Sequence, residues 1–257
     1  MVTFGPLQAL RGVGIDARET VSSGFRPLDQ LLPAGGVRRG SLLEWLCADQ
    51  SASLMGASGA AAVAFAVACR LAGPRDGDAN APSTIIVVDR RGWFHPPAVM
   101  GWLAAGGSPG RQLVVARPAR DDDEAWAIDQ SLRCPGVAAV LAWPKSIHST
   151  AMRRWQLAAR SSGAVGLFVR PQSADRESTW AEARIAVSPL SSEMPAERRL
   201  RLALVSGPWE VVSADAVHRE VEIGIDLARG REAEWKQRRD DRPPLRLQPE
   251  GVSCRAS

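Results

Sequence analysis

The segment Leu54-Met55-Gly56-Ala57-Ser58-Gly59-Ala60-Ala61 stands where phosphoryl chemistry would be done. A phosphate-binding loop follows a strand and opens a helix. Its N–H groups and the helix N-terminus cradle phosphates, a lysine reaches the outer phosphates, and a Ser or Thr holds magnesium. Gly59 suits the last glycine of such a loop, with Gly56 and Ser58 as further backbone donors and Asp89 as an acid on the next strand. The lysine position, however, falls on Ala60 and the hydroxyl position on Ala61, and the loop contains no lysine. A backbone cradle is compatible with these residues, but the charge that phosphoryl transfer needs is missing. A plain loop opening a helix is the favoured reading.

Other chemistries fare worse. Ser58, His148 and Asp129 are the types of a hydrolase triad, but no G-x-S-x-G elbow accompanies them. Cys47, Cys69, Cys134 and Cys254 form no C-x-x-C pair, and the 3 histidines do not lie beside them, so neither a zinc site nor another metal is expected. Asp121–Glu124 reads as a helix start, because no second acidic cluster matches it. No cofactor is expected.

The elements that must position these residues alternate between strand and helix. Ser22–Leu32 reads as a helix with Pro27 near its start, followed by a turn at Gly35, Gly36 and Gly40. Leu42–Cys47 is a first strand, and after the loop an Ala-rich helix runs to about Leu71. Ile85–Asp89, Gln112–Ala116, Val137–Ala142 and Ala164–Val169 are apolar runs of the kind buried on both faces of a parallel sheet. Between them lie helices at Pro96–Ala105, from Asp121 to near Cys134, and through Ala159 with Ser149 or Thr150 as cap. Arg184–Val187, Arg199–Val205 and Trp209–Val212 then follow one another, the middle one alternating with a period of two, which predicts antiparallel edge strands. The expected fold is α/β, with a mainly parallel sheet and antiparallel strands at its C-terminal edge. Residues 1–20 read as an N-terminal arm, 21–229 as the core, and 230–257 as a flexible tail rich in charge and proline.

Composition adds little about function. Of the 32 Lys+Arg residues only Lys145 and Lys236 are lysines, leaving 30 arginines, a bias that GC-rich coding explains. The net charge of +4 permits nucleic acid as a partner without indicating it. Arg38, Arg39, Arg91, Arg153 and Arg154 are candidate contacts to DNA or a protein partner, to be weighed by whether they cluster on one face. Trp93, Trp102, Trp126, Trp143 and Trp155 could serve single-stranded DNA only beside arginines on an exposed face, and core packing is preferred for them. No signal peptide or membrane span is read from the sequence, and a cytoplasmic location is expected.

A family resemblance rests on spacing. Ser23-Gly24-x-x-x-Leu28-Asp29-x-Leu31-Leu32-x-x-Gly35-Gly36-x-x-x-Gly40-x-x-x-Glu44 resembles the entry to the RecA recombinase core, and the order of strands through Val169 continues the likeness. That resemblance implies a three-layer RecA-like core. Carried over one by one, the family's functional residues fall on replacements. The lysine and threonine of the loop fall on Ala60 and Ala61, the water-activating acid on Arg91, the magnesium-linked aspartate on Trp143, and the Asn–Gln pair on Arg170–Pro171; Asp89 alone remains. Leu31-Leu32-Pro33-x-Gly35-Gly36-Val37-Arg38-Arg39-Gly40-x-Leu42-x-Glu44 is similar to the opening of the ImuA family, RecA-like accessory proteins of error-prone translesion synthesis. The resemblance implies a damage-induced, non-catalytic role in a mutasome. Its partners would be an ImuB-like Y-family protein and an error-prone C-family polymerase, with RecA and DNA as further candidates and no membrane. The alternatives are a divergent RecA-like ATPase and a DNA-binding repair protein.

Overall fold

The computed structural model describes residues 19–47, 59–73, 83–105, 111–206 and 220–233. Thr20–Val21 (β1) pairs antiparallel with Val37–Arg38 (β2), and Arg26–Leu31 (α1) lies between them. Pro27 near the start of α1 fits a position whose N–H needs no intrahelical partner.

Among the described residues the main sheet has nine strands. Its six parallel members are Leu42–Cys47 (β3), Thr84–Val88 (β4), Gln112–Ala116 (β5), Val137–Ala142 (β6), Val165–Pro171 (β7) and Ala183–Leu190 (β8). They lie side by side in the order β8-β3-β7-β6-β4-β5. Glu197–Ser206 (β9), Glu220–Asp226 (β10) and Arg231–Glu232 (β11) extend the β8 edge as antiparallel strands. Every residue of β3 and β6 is buried, because helices or loops cover both faces there; β5, expected to be buried in the same way, is instead the outermost strand and none of its residues is buried.

Alternation along the strands sends side chains into two cores. Leu43, Trp45 and Cys47 join the core beneath α1, Ala60–Leu71 (α2) and Met100–Ala105 (α3). Leu42, Val140 and Phe168 join the core beneath Asp121–Arg133 (α4) and Ser149–Ser162 (α5). Helices on both sides of a mainly parallel sheet, with antiparallel strands at one edge, make the layout RecA-like. The expected fold class is the observed one. No helix among the described residues is long and apolar enough to cross a membrane.

Local differences have local causes. Pro96–Val99 is a 3-10 turn that leads into α3, with Pro96 and Pro97 at its opening positions, where an N–H needs no helical partner. Ser149 is the first residue of α5 and does not cap it through its side chain; His148 holds the cap position. At the other end Gly163 closes α5 with φ +81°, a left-handed conformation that suits glycine. Sheet pairing also reaches Glu232, three residues past the expected end of the core. The strand expected at Trp209–Val212 lies outside the described residues, as do most of the expected arm and tail.

Between β7 and β8 no full helix crosses the sheet. A 3-10 turn, Gln172–Arg176, and the segment through Glu182 cover β3 instead. Glu182 N–H donates to the Leu42 carbonyl at 2.8 Å, which ties that segment to the sheet.

Candidate functional site

The position of a RecA-like nucleotide site is built from the start of α2 and the ends of β4 and β6. Gly59 begins α2 with φ +83°, and a Cβ there would collide with Leu200 of β9. Ala60 is fully buried and Ala61 partly so. Gly56 and Ser58, the other candidate cradle residues, lie outside the described residues.

Asp89 follows β4 and is 1% exposed. Its two carboxylate oxygens accept N–H bonds from Trp93 and Phe94, each at 2.9 Å. A carboxylate aimed back at the following turn fixes the path of residues 89–94. Arg117 approaches it only to 3.9 Å and is more than half exposed.

That turn presents Arg91. Its Nη1 donates to the Trp143 carbonyl at 2.5 Å, and its guanidinium sits 5.0 Å from the Trp93 ring centroid. The two positions where the resemblance would place the water-activating acid and the magnesium-linked aspartate are therefore joined by an arginine–carbonyl hydrogen bond. Trp143 is 4% exposed, and its ring packs near Phe94, with centroids 6.4 Å apart. A guanidinium and an indole supply neither a metal ligand nor a proton acceptor. Among the described residues, no group of three or more His, Cys, Asp or Glu side chains is arranged to hold a metal ion.

The Arg90 guanidinium next to this corner faces two acids, Asp121 at 2.6 Å and Glu124 at 3.7 Å. Burial pushes the Glu124 carboxyl above its usual range, against the pull of Arg91 and Arg90.

The other candidate contacts do not form a single face. Arg39 is 2% exposed, and its Nη2 donates to the Leu71 carbonyl at 2.8 Å. It braces the C-terminal end of α2, where a cation suits the helix dipole, and so is no surface contact for DNA. Arg38 faces Glu182 at 3.6 Å. Arg154 pairs with Asp129 at 3.0 Å, and Asp129 also takes Arg133 at 2.8 Å, so this acid is one bridge between α4 and α5. Arg153 lies 5.0 Å from the ring centroid of Trp180, a residue with no part in the sequence-based expectations, and Trp180 is 43% exposed. Trp102, Trp143 and Trp155 are core residues as expected, whereas Trp93 and Trp126 are exposed.

The most tightly connected polar group went unread in the sequence. Glu44, in the middle of β3, is fully buried. Arg170 of β7 donates to its Oε1 at 2.8 Å; Arg184 of β8 donates to its Oε2 at 2.6 Å, and Thr179 Oγ1 donates to the same oxygen at 2.7 Å. Arg170 also reaches Glu177 at 2.7 Å, and Arg184 the Asp175 carbonyl at 2.9 Å. The network fills the stretch of sheet that the β7–β8 segment covers without a helix. Its signal was present: one acid inside LLEWLC, and one arginine in each of two neighbouring apolar strands. A buried charge requires a buried partner.

Compared with known proteins, the chain matches no family model and no curated sequence.

Proposed function

We infer that this chain is a non-catalytic, RecA-like accessory protein of a damage-induced translesion synthesis complex, of the ImuA kind. The observation that carries the reading is the Arg91–Trp143 contact. In a RecA-like layout it fills the positions of the catalytic acid and the magnesium-linked aspartate with a cation bound to a backbone carbonyl. Ala60 and Ala61 open α2 in place of a lysine and a hydroxyl. Hydrolysis of ATP needs a cation on the γ-phosphate, a metal ligand and a group that orients water, and these residue types supply none of the three. A fold kept while such positions carry other residues fits a protein that acts by binding. The ImuA-like opening motif, Leu31 to Glu44, supports two partners by resemblance: an ImuB-like Y-family protein and an error-prone C-family polymerase.

The test is a pull-down of the folded chain with an ImuB-like protein at low salt, alongside steady-state ATP turnover with and without single-stranded DNA. Stable complex formation without turnover is the expected outcome. Absence of a complex between two folded proteins defeats the adaptor reading. Turnover that disappears with Arg91→Ala supports a divergent ATPase instead.

A further inference from the structure

A cavity of about 240 Å³ lies far from the nucleotide position, between the C-terminal end of α2, α3, the residue before β5 and the turn from β10 to β11. Four arginines line it (Arg70, Arg111, Arg229 and Arg231), and among the described residues no carboxylate does. Arg70 comes ten residues after Ala60, which at about 1.5 Å rise per residue puts it roughly 15 Å along α2 from the emptied loop.

Among the described residues the positive charge here is poorly compensated. Arg111 is half-buried, and among the described residues its guanidinium meets only neutral partners, the Ala72 carbonyl at 3.2 Å and the Leu103 carbonyl at 3.3 Å. Burial lowers its pKa, and Arg70 pushes in the same direction. The Cys69 thiol, also in the lining, is pushed up by burial to about 12 despite Arg111, so at neutral pH it carries no charge to balance the arginine. Arg229 has one acid, Asp226, at 3.4 Å. Arg70 and Arg231 have no ion pair among the described residues.

An adjoining, more open hollow of about 530 Å³ shares Gly24, Arg70 and Arg231 and adds Asp29 and Glu232. Those acids are engaged by other donors. Asp29 accepts from Ser22 Oγ at 2.6 Å and from Ser23 N–H at 2.7 Å, and Glu232 accepts from Arg26 N–H at 3.0 Å.

The wall of the cavity is held in place. Trp102 Nε1 donates to the Leu227 carbonyl at 2.8 Å, and Gly230, with φ +63°, lies so close to the Trp102 ring that no Cβ would fit. The turn carrying Arg229 and Arg231 is thus pinned against α3 before any ligand arrives.

We propose that this cavity binds the phosphate group of a small phosphate ester. Guanidinium forks match phosphate oxygens two at a time, and a phosphate would supply the anion that Arg111, Arg70 and Arg231 lack. The small volume favours a small ester over a duplex, and the inference is independent of the translesion reading.

The experiment is a titration of the full chain by calorimetry and thermal shift at constant ionic strength, with chloride as the reference. The probes are inorganic phosphate, a nucleoside 5′-monophosphate, and a short single-stranded oligonucleotide with and without a 5′-phosphate. The variants are Arg70→Gln, Arg231→Gln and the double change, each checked for an unchanged far-UV spectrum; among the described residues neither arginine makes an ion pair whose loss would unfold the chain. Saturable binding of phosphate or the monophosphate, weakened at least tenfold in the double variant, is the expected result. If the 5′-phosphorylated oligonucleotide alone binds and loses affinity in the same variant, the phosphate source is a nucleic-acid end, and the small-ester assignment is overturned. Phosphate that acts no differently from chloride, or binding that the double variant leaves intact, overturns the site altogether.

Discussion

The Glu44 network and the Asp89 corner both place a buried acid in or just after a parallel strand near arginines, yet they use it in opposite ways. At Glu44 two guanidiniums bind the carboxylate directly, and Glu44, Arg170 and Arg184 are all at most 3% exposed. At Asp89 both oxygens are taken by backbone N–H groups, the nearest guanidinium in an ion pair stands 3.9 Å away, and Arg91 turns instead to a backbone carbonyl. The first arrangement neutralises charge beneath a loop. The second shapes a turn. The difference teaches that a buried acid at a strand end is no sign of chemistry when the main chain uses up its acceptors.

The comparison breaks most directly at Glu44. Glu44→Ala leaves Arg170 and Arg184 buried without their shared counter-charge, and is expected to cost about 3–5 kcal/mol in urea unfolding. A cost below about 1 kcal/mol would show that the network merely fills space. Asp89→Ala strands two N–H groups, at Trp93 and Phe94, and is expected to cost about 2–3 kcal/mol. It should also release the Arg91 contact to Trp143, which fluorescence quenching of the indoles can follow; a variant of unchanged stability means the turn holds itself.

The smallest effect is at Glu124, beside the corner. Its carboxyl titrates above the unfolded value near 4.5, so the folded state binds the proton more tightly than the unfolded chain. The contribution to stability is therefore favourable at low pH and declines as pH rises from about 4.5 through the raised folded value. Glu124→Gln removes that decline. Unfolding midpoints of variant and parent should diverge in the variant's favour across that interval, and parallel pH profiles would contradict the raised titration.

How much of this was legible follows from the range of the forces involved. Apolar runs such as VAAVLA and IIVVD announce strands buried on both faces, because a lone sequence segment must already be apolar throughout to sit in a parallel sheet. The alternation R-L-R-L-A-L-V announced an antiparallel strand beyond the parallel ones in the same way, although β9 is itself paired on both sides, by β8 and β10. The breakdown of Pro96–Ala105 into a 3-10 turn and a short helix was within reach, since the two prolines are adjacent. The strand Glu220–Asp226 was not read, for it alternates acids with Val and Ile in a stretch that resembles a polar loop.

The candidate site divides along the same line. That Ala60, Arg91 and Trp143 lack the chemistry of a nucleotide site was a matter of residue type. That Arg91 reaches the Trp143 carbonyl, 52 residues away, was not, because no local pattern encodes a side-chain bond between two strand ends. Arg39 shows the reverse error: a basic doublet reads as surface, but its partner is the last turn of a helix about thirty residues on.

The sequence by itself determined the layers and the residue types available at each strand end, since periodicity and side-chain chemistry are local properties. Only the tertiary structure decided which charges meet. Glu44, Arg170 and Arg184 come together because β3 lies between β7 and β8, and Arg70, Arg111, Arg229 and Arg231 because an edge hairpin reaches α3. Burial and pairing of charge depend on distances that strand order sets, and strand order is a property of the folded whole.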